Sequence, residues 1–289
     1  MVTPSPDPEA THYHQLQCME VWNGNRFVEN LVDAPGMQAW ILSQPYRGES
    51  RGGDVHYLSL CVGGIVTRVV LADVAGHGEE VAETSRILRK LLRRFMNAKQ
   101  QNRLVAELNR SFSELEQSGR FATAVIATYL SHKSRVLLTN AGHPRPILYR
   151  KSTGRWNYLS PDLVNDHRVG NLPLGIDGDT QYQHFQLSVE PGDRLLFYTD
   201  AYTEICDPAG EPLGELGLMG LVEQLPAGTQ VEHVGRSLGR LIGTYSGGIP
   251  PDDDATLIVF QFNLERRIPG VGERIRGLCR VVGNCFHNP

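Results

Sequence analysis

The sequence predicts an α+β fold, a sandwich of layers in which sheets are covered by helices, and three observations carry that reading. Short apolar runs bounded by Gly, Pro and Asn recur along most of the chain, as in Val69-Val70-Leu71-Ala72 and Leu257-Ile258-Val259-Phe260, which is the pattern of buried strands. Four other segments, grouped in two pairs, repeat apolar residues at three- and four-residue spacing, the pattern of helices with one buried face. No repeat of fixed period runs through the chain, which excludes a solenoid or a propeller.

Composition sets the outer bounds. With 289 residues, 40% of them hydrophobic and 21% charged, the chain can bury a sizeable core. A formal net charge of -4 gives no general attraction to nucleic acid or an anionic membrane, so neither is expected as a partner. No apolar run reaches the roughly 18 residues that span a bilayer. The first 14 residues carry Pro and acids where an export signal needs a basic end and an apolar centre, so a cytoplasmic location is expected. Cys18, Cys61, Cys206, Cys279 and Cys285 are scattered and odd in number, which points to thiols in a reducing compartment rather than to disulfides or zinc.

Residues 1–14 hold three prolines and read as a flexible lead-in. Short strands are expected at 18–22 and 38–42, with turns at Asn23-Gly24-Asn25 and Ala34-Pro35-Gly36. Residues 55–62 and 65–72 form two strands joined at Gly63-Gly64. Asp54 precedes the first and Asp73 follows the second, so an antiparallel hairpin brings both carboxylates to one end. After Asp73 come Gly76-His77-Gly78, where the backbone can approach a ligand closely, although an Asp that merely caps the next helix would read the same way. That helix, 79–100, sets Val81, Leu88, Leu91, Leu92 and Phe95 on one face and Arg86, Arg89, Lys90, Arg93 and Arg94 on the other. The basic face is either a solvated surface or a dock for an acidic partner. A second helix carries Leu104, Leu108, Phe112 and Leu115 and stops at Gly119.

Four strands follow from Phe121: ATAVIATYL, RVLLTNAGH, PILYR and WNYL. Asn140 and His143 fall on a loop at a sheet end, where the plain reading of a lone histidine is a bond to its own loop. Residues 161–173 are polar and read as a flap. A strand at 182–189 and an apolar strand at 194–199 lead into Asp200, repeating the arrangement at Asp73. Helices at 217–225 and 231–245 precede the break Gly247-Gly248-Ile249-Pro250-Pro251, and Asp252, Asp253 and Asp254 open the last strand, ATLIVFQF.

Asp54, Asp73, Asp200 and Asp253 therefore share one property: each lies where an apolar strand begins or ends beside a break. Clustered carboxylates repel one another unless a cation neutralises them, so the pattern implies a metal. With oxygen donors only, Mg²⁺ or Mn²⁺ fits better than Zn²⁺.

The ordered set GGD (Gly52 to Asp54), LADVAGHG (Leu71 to Gly78), NAGHP (Asn140 to Pro144), LPLGI (Leu172 to Ile176), GDRLLFYTDAYTE (Gly192 to Glu204) and DDATLIV (Asp253 to Val259) resembles the metal-dependent PPM-type protein phosphatases, in particular their bacterial SpoIIE-like branch. The resemblance implies a four-layer α-β-β-α sandwich, with two antiparallel sheets flanked by helix pairs and a site for two Mn²⁺ or Mg²⁺ ions at one edge. By motif, Asp73 matches the acid bridging both ions and the Val74 carbonyl the ligand beside it. Asp54 matches the acid serving the first ion, and Asp200 and Asp253 those holding the second, with Asp254 as a flanking acid. Tyr57 and Ala201 depart from the pattern, where many relatives carry an acid and a glycine. A metal-activated water would be the nucleophile. His77 and His143 are candidates for protonating the leaving group, and Arg51, with Arg47, for steadying the phosphate.

The matching region sets expected boundaries: an N-terminal extension at 1–39, the phosphatase domain at 40–262 and a basic tail at 263–289. The implied substrate is phosphoserine or phosphothreonine on a regulatory protein such as an anti-sigma-factor antagonist, with regulation arriving through a partner protein. A catalytically silent binding module and a hydrolase of small phosphoesters are the competing readings.

Overall fold

The computed structural model describes residues 12–17, 20–61, 64–76, 81–95, 98, 100–116, 119–159 and 172–263. Its α+β architecture has two sheets. One contains β2 (Val21–Gly24), β5 (Val55–Cys61), β6 (Val66–Val74), β7 (Ala122–Leu130), β8 (Arg135–Ala141) and β11 (Phe185–Ser188), in spatial order β11-β8-β7-β6-β5-β2 and antiparallel throughout. The other contains β1 (His12–Gln15), β3 (Val28–Ala34), β4 (Met37–Gln44), β9 (Ile147–Arg150), β10 (Arg155–Tyr158), β12 (Arg194–Tyr198) and β13 (Ala255–Phe262), ordered β1-β3-β4-β13-β12-β9-β10. This sheet departs from the expected antiparallel pattern at one edge, where β1 runs parallel to β3.

Several strands read as continuous apolar runs because both of their faces are buried. In β6, Val69 and Leu71 join the core between the sheets, while Val70, Ala72 and Val74 join a second cluster with α1 (Ala82–Phe95) and α2 (Gln101–Leu115). In β13, Ile258, Phe260 and Phe262 face the inter-sheet core, and Leu257 and Val259 meet a third cluster formed with α4 (Gly214–Val222) and α5 (Val231–Tyr245). This alternation follows from the two-residue period of a strand. Phe197 and Phe260 meet edge to face with ring centroids 4.7 Å apart, and each fully buried side chain of this kind contributes about 1.5–3 kcal/mol. Helix α5 seats Gly235 against Trp40, where a Cβ would stand 2.1 Å from the indole.

Residues 12–34, within the expected N-terminal extension, supply β1, β2 and β3, and β4 begins at Met37, so these strands are built into both sheets rather than appended to them. The turn expected at Asn23-Gly24 is displaced because Gly24 remains in β2, packed so closely on His56 that a Cβ would meet Nε2 at 2.8 Å. The helix expected over 79–100 is described as Ala82–Phe95, and that expected over 217–225 as Gly214–Val222, whereas α5 matches its expected span. The short α3 (Ala201–Glu204) follows β12 directly. The 161–173 flap lies outside the described residues up to 171, as do the tail from 264 onward and Cys18, Cys279 and Cys285. Among the described residues no helix is long and apolar enough to cross a membrane.

Candidate active site

Strand pairing brings the acids together two by two. Val55 of β5 lies opposite Ala72 of β6, and one further step in that register sets Asp54 opposite Asp73, where side chains share a face. In the other sheet Tyr198 lies opposite Leu257, and the Thr199 amide donates to the Thr256 carbonyl at 3.1 Å. Asp200 leaves β12 at the same end at which Asp253 and Asp254 enter β13.

Hydrogen bonds then tie the two sheet ends to each other. Thr199 Oγ1 donates to Asp54 Oδ2 at 3.2 Å and itself accepts from the Thr256 amide at 2.9 Å. The Asp254 carboxylate accepts from the amides of Tyr46 and Gly53, both at 2.7 Å. This explains the two glycines before Asp54. A Cβ on Gly52 would fall 2.2 Å from Asp254 Oδ1, and one on Gly53 would fall 3.0 Å from the Val74 carbonyl oxygen. The loop thus packs backbone to backbone, with the Val74 carbonyl beside it.

Electrostatics marks the same place. Burial pushes the Asp73 carboxyl up to about 8, and Asp200, Asp253, Asp254 and Glu204 add to the shift through their charge. Asp54 is 3% exposed, and burial raises its pKa well above the usual carboxylate range, with Asp73 next in effect. Asp54 Oδ1 is buried with no hydrogen-bond partner. Among the described residues no three acidic, His or Cys side chains close around one point. Like-charged carboxylates with no counter-charge among them have no reason to converge further. An orphaned carboxylate oxygen, a carboxyl raised by four neighbouring acids and a main-chain carbonyl beside the Gly53 loop are all oxygen donors, the chemistry that suits a hard divalent cation.

The remaining candidates fall in different places. His143 is 5% exposed, and burial lowers its imidazole to about 3, so it is neutral near pH 7. Its Nδ1 lies 2.8 Å from Thr123 Oγ1, and its backbone is held by Asn140 on both sides, the Asn140 Oδ1 accepting its amide and the Asn140 Nδ2 donating to its carbonyl at 2.8 Å each. Thr123 is the residue opposite Asp73 on the neighbouring strand, so His143 is bonded to the strand that flanks Asp73. Arg51 is exposed beside the Gly52-Gly53 loop. Arg47 stacks on Tyr46 at 4.9 Å and lies 3.9 Å from Asp252. His77 lies outside the described residues.

Thr199, Asp254 and Glu204 are more deeply involved than the sequence indicated. Thr199 gave no signal beyond preceding Asp200. Asp254 looked like a flanking acid, and its role as a clamp on the loop depends on pairing between residues 201 positions apart. Tyr202 was also missed: its hydroxyl is buried without a partner, and burial and the charge of Asp54 raise its pKa.

The family model for stage II sporulation protein E (SpoIIE) matches residues 64–263. The chain belongs to the SpoIIE family. Its relatives include the phosphoserine phosphatase RsbP of Bacillus subtilis, 28% identical over 145 residues that cover 48% of this chain and 33% of RsbP. Phosphoserine phosphatase RsbU of the same organism is 25% identical over 55% of this chain and 44% of RsbU, so this SpoIIE-family chain spans less than half the length of either curated relative. Among solved structures, the RsbU and RsbW domains of Rv1364c from Mycobacterium tuberculosis superpose with a TM-score of 0.67 at 22% identity, covering 80% of this chain and 61% of that one. At that identity the likeness is one of fold.

Proposed function

We propose that this SpoIIE-family chain is a metal-dependent protein phosphatase that hydrolyses phosphoserine or phosphothreonine on a regulatory protein, with an anti-sigma-factor antagonist as the substrate class. The observation that carries the reading is the placement of Asp54 and Asp73 at the end of one sheet within the field of the acids that leave and enter the other, with Asp73 raised by Asp200 and Asp253 and Asp54 Oδ1 buried without a partner. The phosphoserine phosphatase names of RsbP and RsbU support the same reading.

Asp54, Asp73, Asp200, Asp253 and the Val74 carbonyl would hold two Mn²⁺ or Mg²⁺ ions. Bound there, such ions supply charge neutralisation for the phosphoryl oxygens and acidify water to a nucleophile at neutral pH. The chain itself contributes position. Asp254 fixes the Gly52-Gly53 loop, Thr199 orients Asp54, and the Asn140 and Thr123 bonds leave neutral His143 as a support rather than a proton donor. Arg51 stands at the rim, where a guanidinium can pair with a phosphoryl group. A cytoplasmic setting suits these roles.

Purified protein should hydrolyse p-nitrophenyl phosphate and a phosphoserine protein in Mn²⁺ and lose both activities in EDTA, with recovery when Mn²⁺ is restored. Unchanged turnover in chelator would show that the acids serve another purpose.

A further inference from the structure

This inference rests on the phosphatase reading and concerns how the protein substrate is held. Gly52 is a junction between three separate pieces of chain. Its carbonyl accepts from Asn25 Nδ2 at 2.9 Å and from Ser85 Oγ at 3.3 Å, and its amide donates to the Asn25 carbonyl at 2.8 Å. Ser85 Oγ also lies 3.0 Å from the Gly53 carbonyl. The turn after β2, the loop before β5 and the first turns of α1 are thereby locked together.

Each piece brings arginine to the junction. Arg26 follows Asn25, Arg51 precedes Gly52, Arg86 follows Ser85, and Arg89 lies about one turn farther along α1. Arg26, Arg51 and Arg86 are exposed, while Arg89 is half-buried with its Nε buried and unpartnered. Arg89 is held below its ordinary pKa by burial first and then by the charges of Arg51, Arg26 and Arg86, so the three exposed guanidinium groups that flank the junction all act on Arg89. Glu83 pairs with Arg86. Crowding like charges costs free energy that an incoming anion would recover, and guanidinium is suited to carboxylate. In a chain of net charge -4 such a patch is local, and the same loop runs directly into Asp54.

We propose that Arg26, Arg86 and Arg89, lying beyond Arg51 at the rim, form a docking patch for an acidic segment of the phosphoprotein, engaged while its phosphoryl group lies at the acid cluster. Carboxylates flanking the phosphorylated residue are the recognised feature, and the patch acts on substrate affinity rather than on the chemical step.

The test uses the full chain with Mn²⁺ and three substrates: a phosphoserine peptide flanked by Asp and Glu, the same peptide with Asn and Gln in their place, and p-nitrophenyl phosphate, which has no second anion. The acidic peptide should show roughly 10-fold higher kcat/KM, chiefly through KM, with an advantage that shrinks as salt is raised. In an Arg26→Ala/Arg86→Ala variant that advantage should fall to about twofold or less, with p-nitrophenyl phosphate turnover retained, and Lys at both positions should restore part of it. If the double variant fails to fold, Arg26→Ala alone, an exposed turn residue, should still cost roughly threefold on the acidic peptide. Equal kcat/KM for the two peptides, or a preference that survives in the variants, would overturn the docking patch while leaving the phosphatase intact. Absence of turnover on all three substrates would overturn the phosphatase reading and the patch together.

Discussion

Asp73 carries the influence of four neighbouring acids, and substituting it separates a ligand from a structural cap. Asp73→Asn keeps the shape of a carboxyl that is pushed up to about 8, but removes the charge a cation needs. Mn²⁺-dependent turnover should fall by orders of magnitude, while the melting temperature of the metal-free protein at neutral pH stays level or rises, because the unfavourable ionisation is gone. An active variant would show that Asp73 only shapes its turn, since Asn caps a helix about as well as Asp. His143 gives the opposite sign of pH dependence. Its folded pKa of about 3 lies below the ordinary 6.5, so the stability it contributes is present above pH 6.5 and is lost as pH falls toward 3. Wild type should lose about 1.4 kcal/mol per pH unit across that window from this group, and His143→Asn should not, so the gap between their melting temperatures should narrow on acidification. A gap that stays constant from pH 7 to pH 4 would mean that His143 is not buried as described. The acids themselves were legible in the sequence because a carboxylate at the end of an apolar strand is a local pattern. The clamp by Asp254, the bond from Thr199 and the charge of Glu204 were not, because they depend on which strand ends meet.

The elements show where local pattern suffices. Helix α5 could be read to the residue from Val234, Leu238, Leu241 and Ile242, of which all but the half-buried Leu241 are buried, since one face is buried and the other is solvated. β6 and β13 were legible because both of their faces are apolar. β3 was missed because Glu29, Asn30 and Asp33 break its apolar pattern, and its largely half-buried surface, one strand in from the sheet edge, tolerates them. β1 was missed because four residues at a sheet edge carry almost no burial signal. The glycines of α5 offer a test of the packing at this scale. Gly235 meets Trp40, whereas a Cβ on Gly239 would have no neighbouring atom within 4 Å. Gly235→Ala should therefore destabilise the protein by about 1–3 kcal/mol through overpacking, and Gly239→Ala should stabilise it by about 0.5–1 kcal/mol through helix propensity. Thermal melts of the two variants should move in opposite directions, and a shared direction would contradict the seating of α5 on β4.

At the scale of the whole molecule, β13 completes the seven-stranded sheet at Phe262, and the Asn263 amide donates to the Gly36 carbonyl in the turn between β3 and β4 at 2.8 Å. Deleting residues 266–289 should leave Mn²⁺-dependent turnover of a small substrate within a few-fold of wild type, and an insoluble or inactive product would make the tail part of the fold. The interleaving of early and late strands was not legible, because periodicity identifies a strand and not its neighbour. That interleaving has a consequence for biosynthesis. β13 lies between β4 and β12, with Met37 paired to Phe262, so the centre of the seven-stranded sheet is missing until the last described strand has left the ribosome. Asp253 and Asp254 arrive with it. A nascent chain therefore exposes the inner edges of β4 and β12 during translation, a period of aggregation risk that calls for chaperone cover. Until β13 emerges the chain lacks the two acids that stand at its start, so the acid cluster assembles only when the centre of this sheet does.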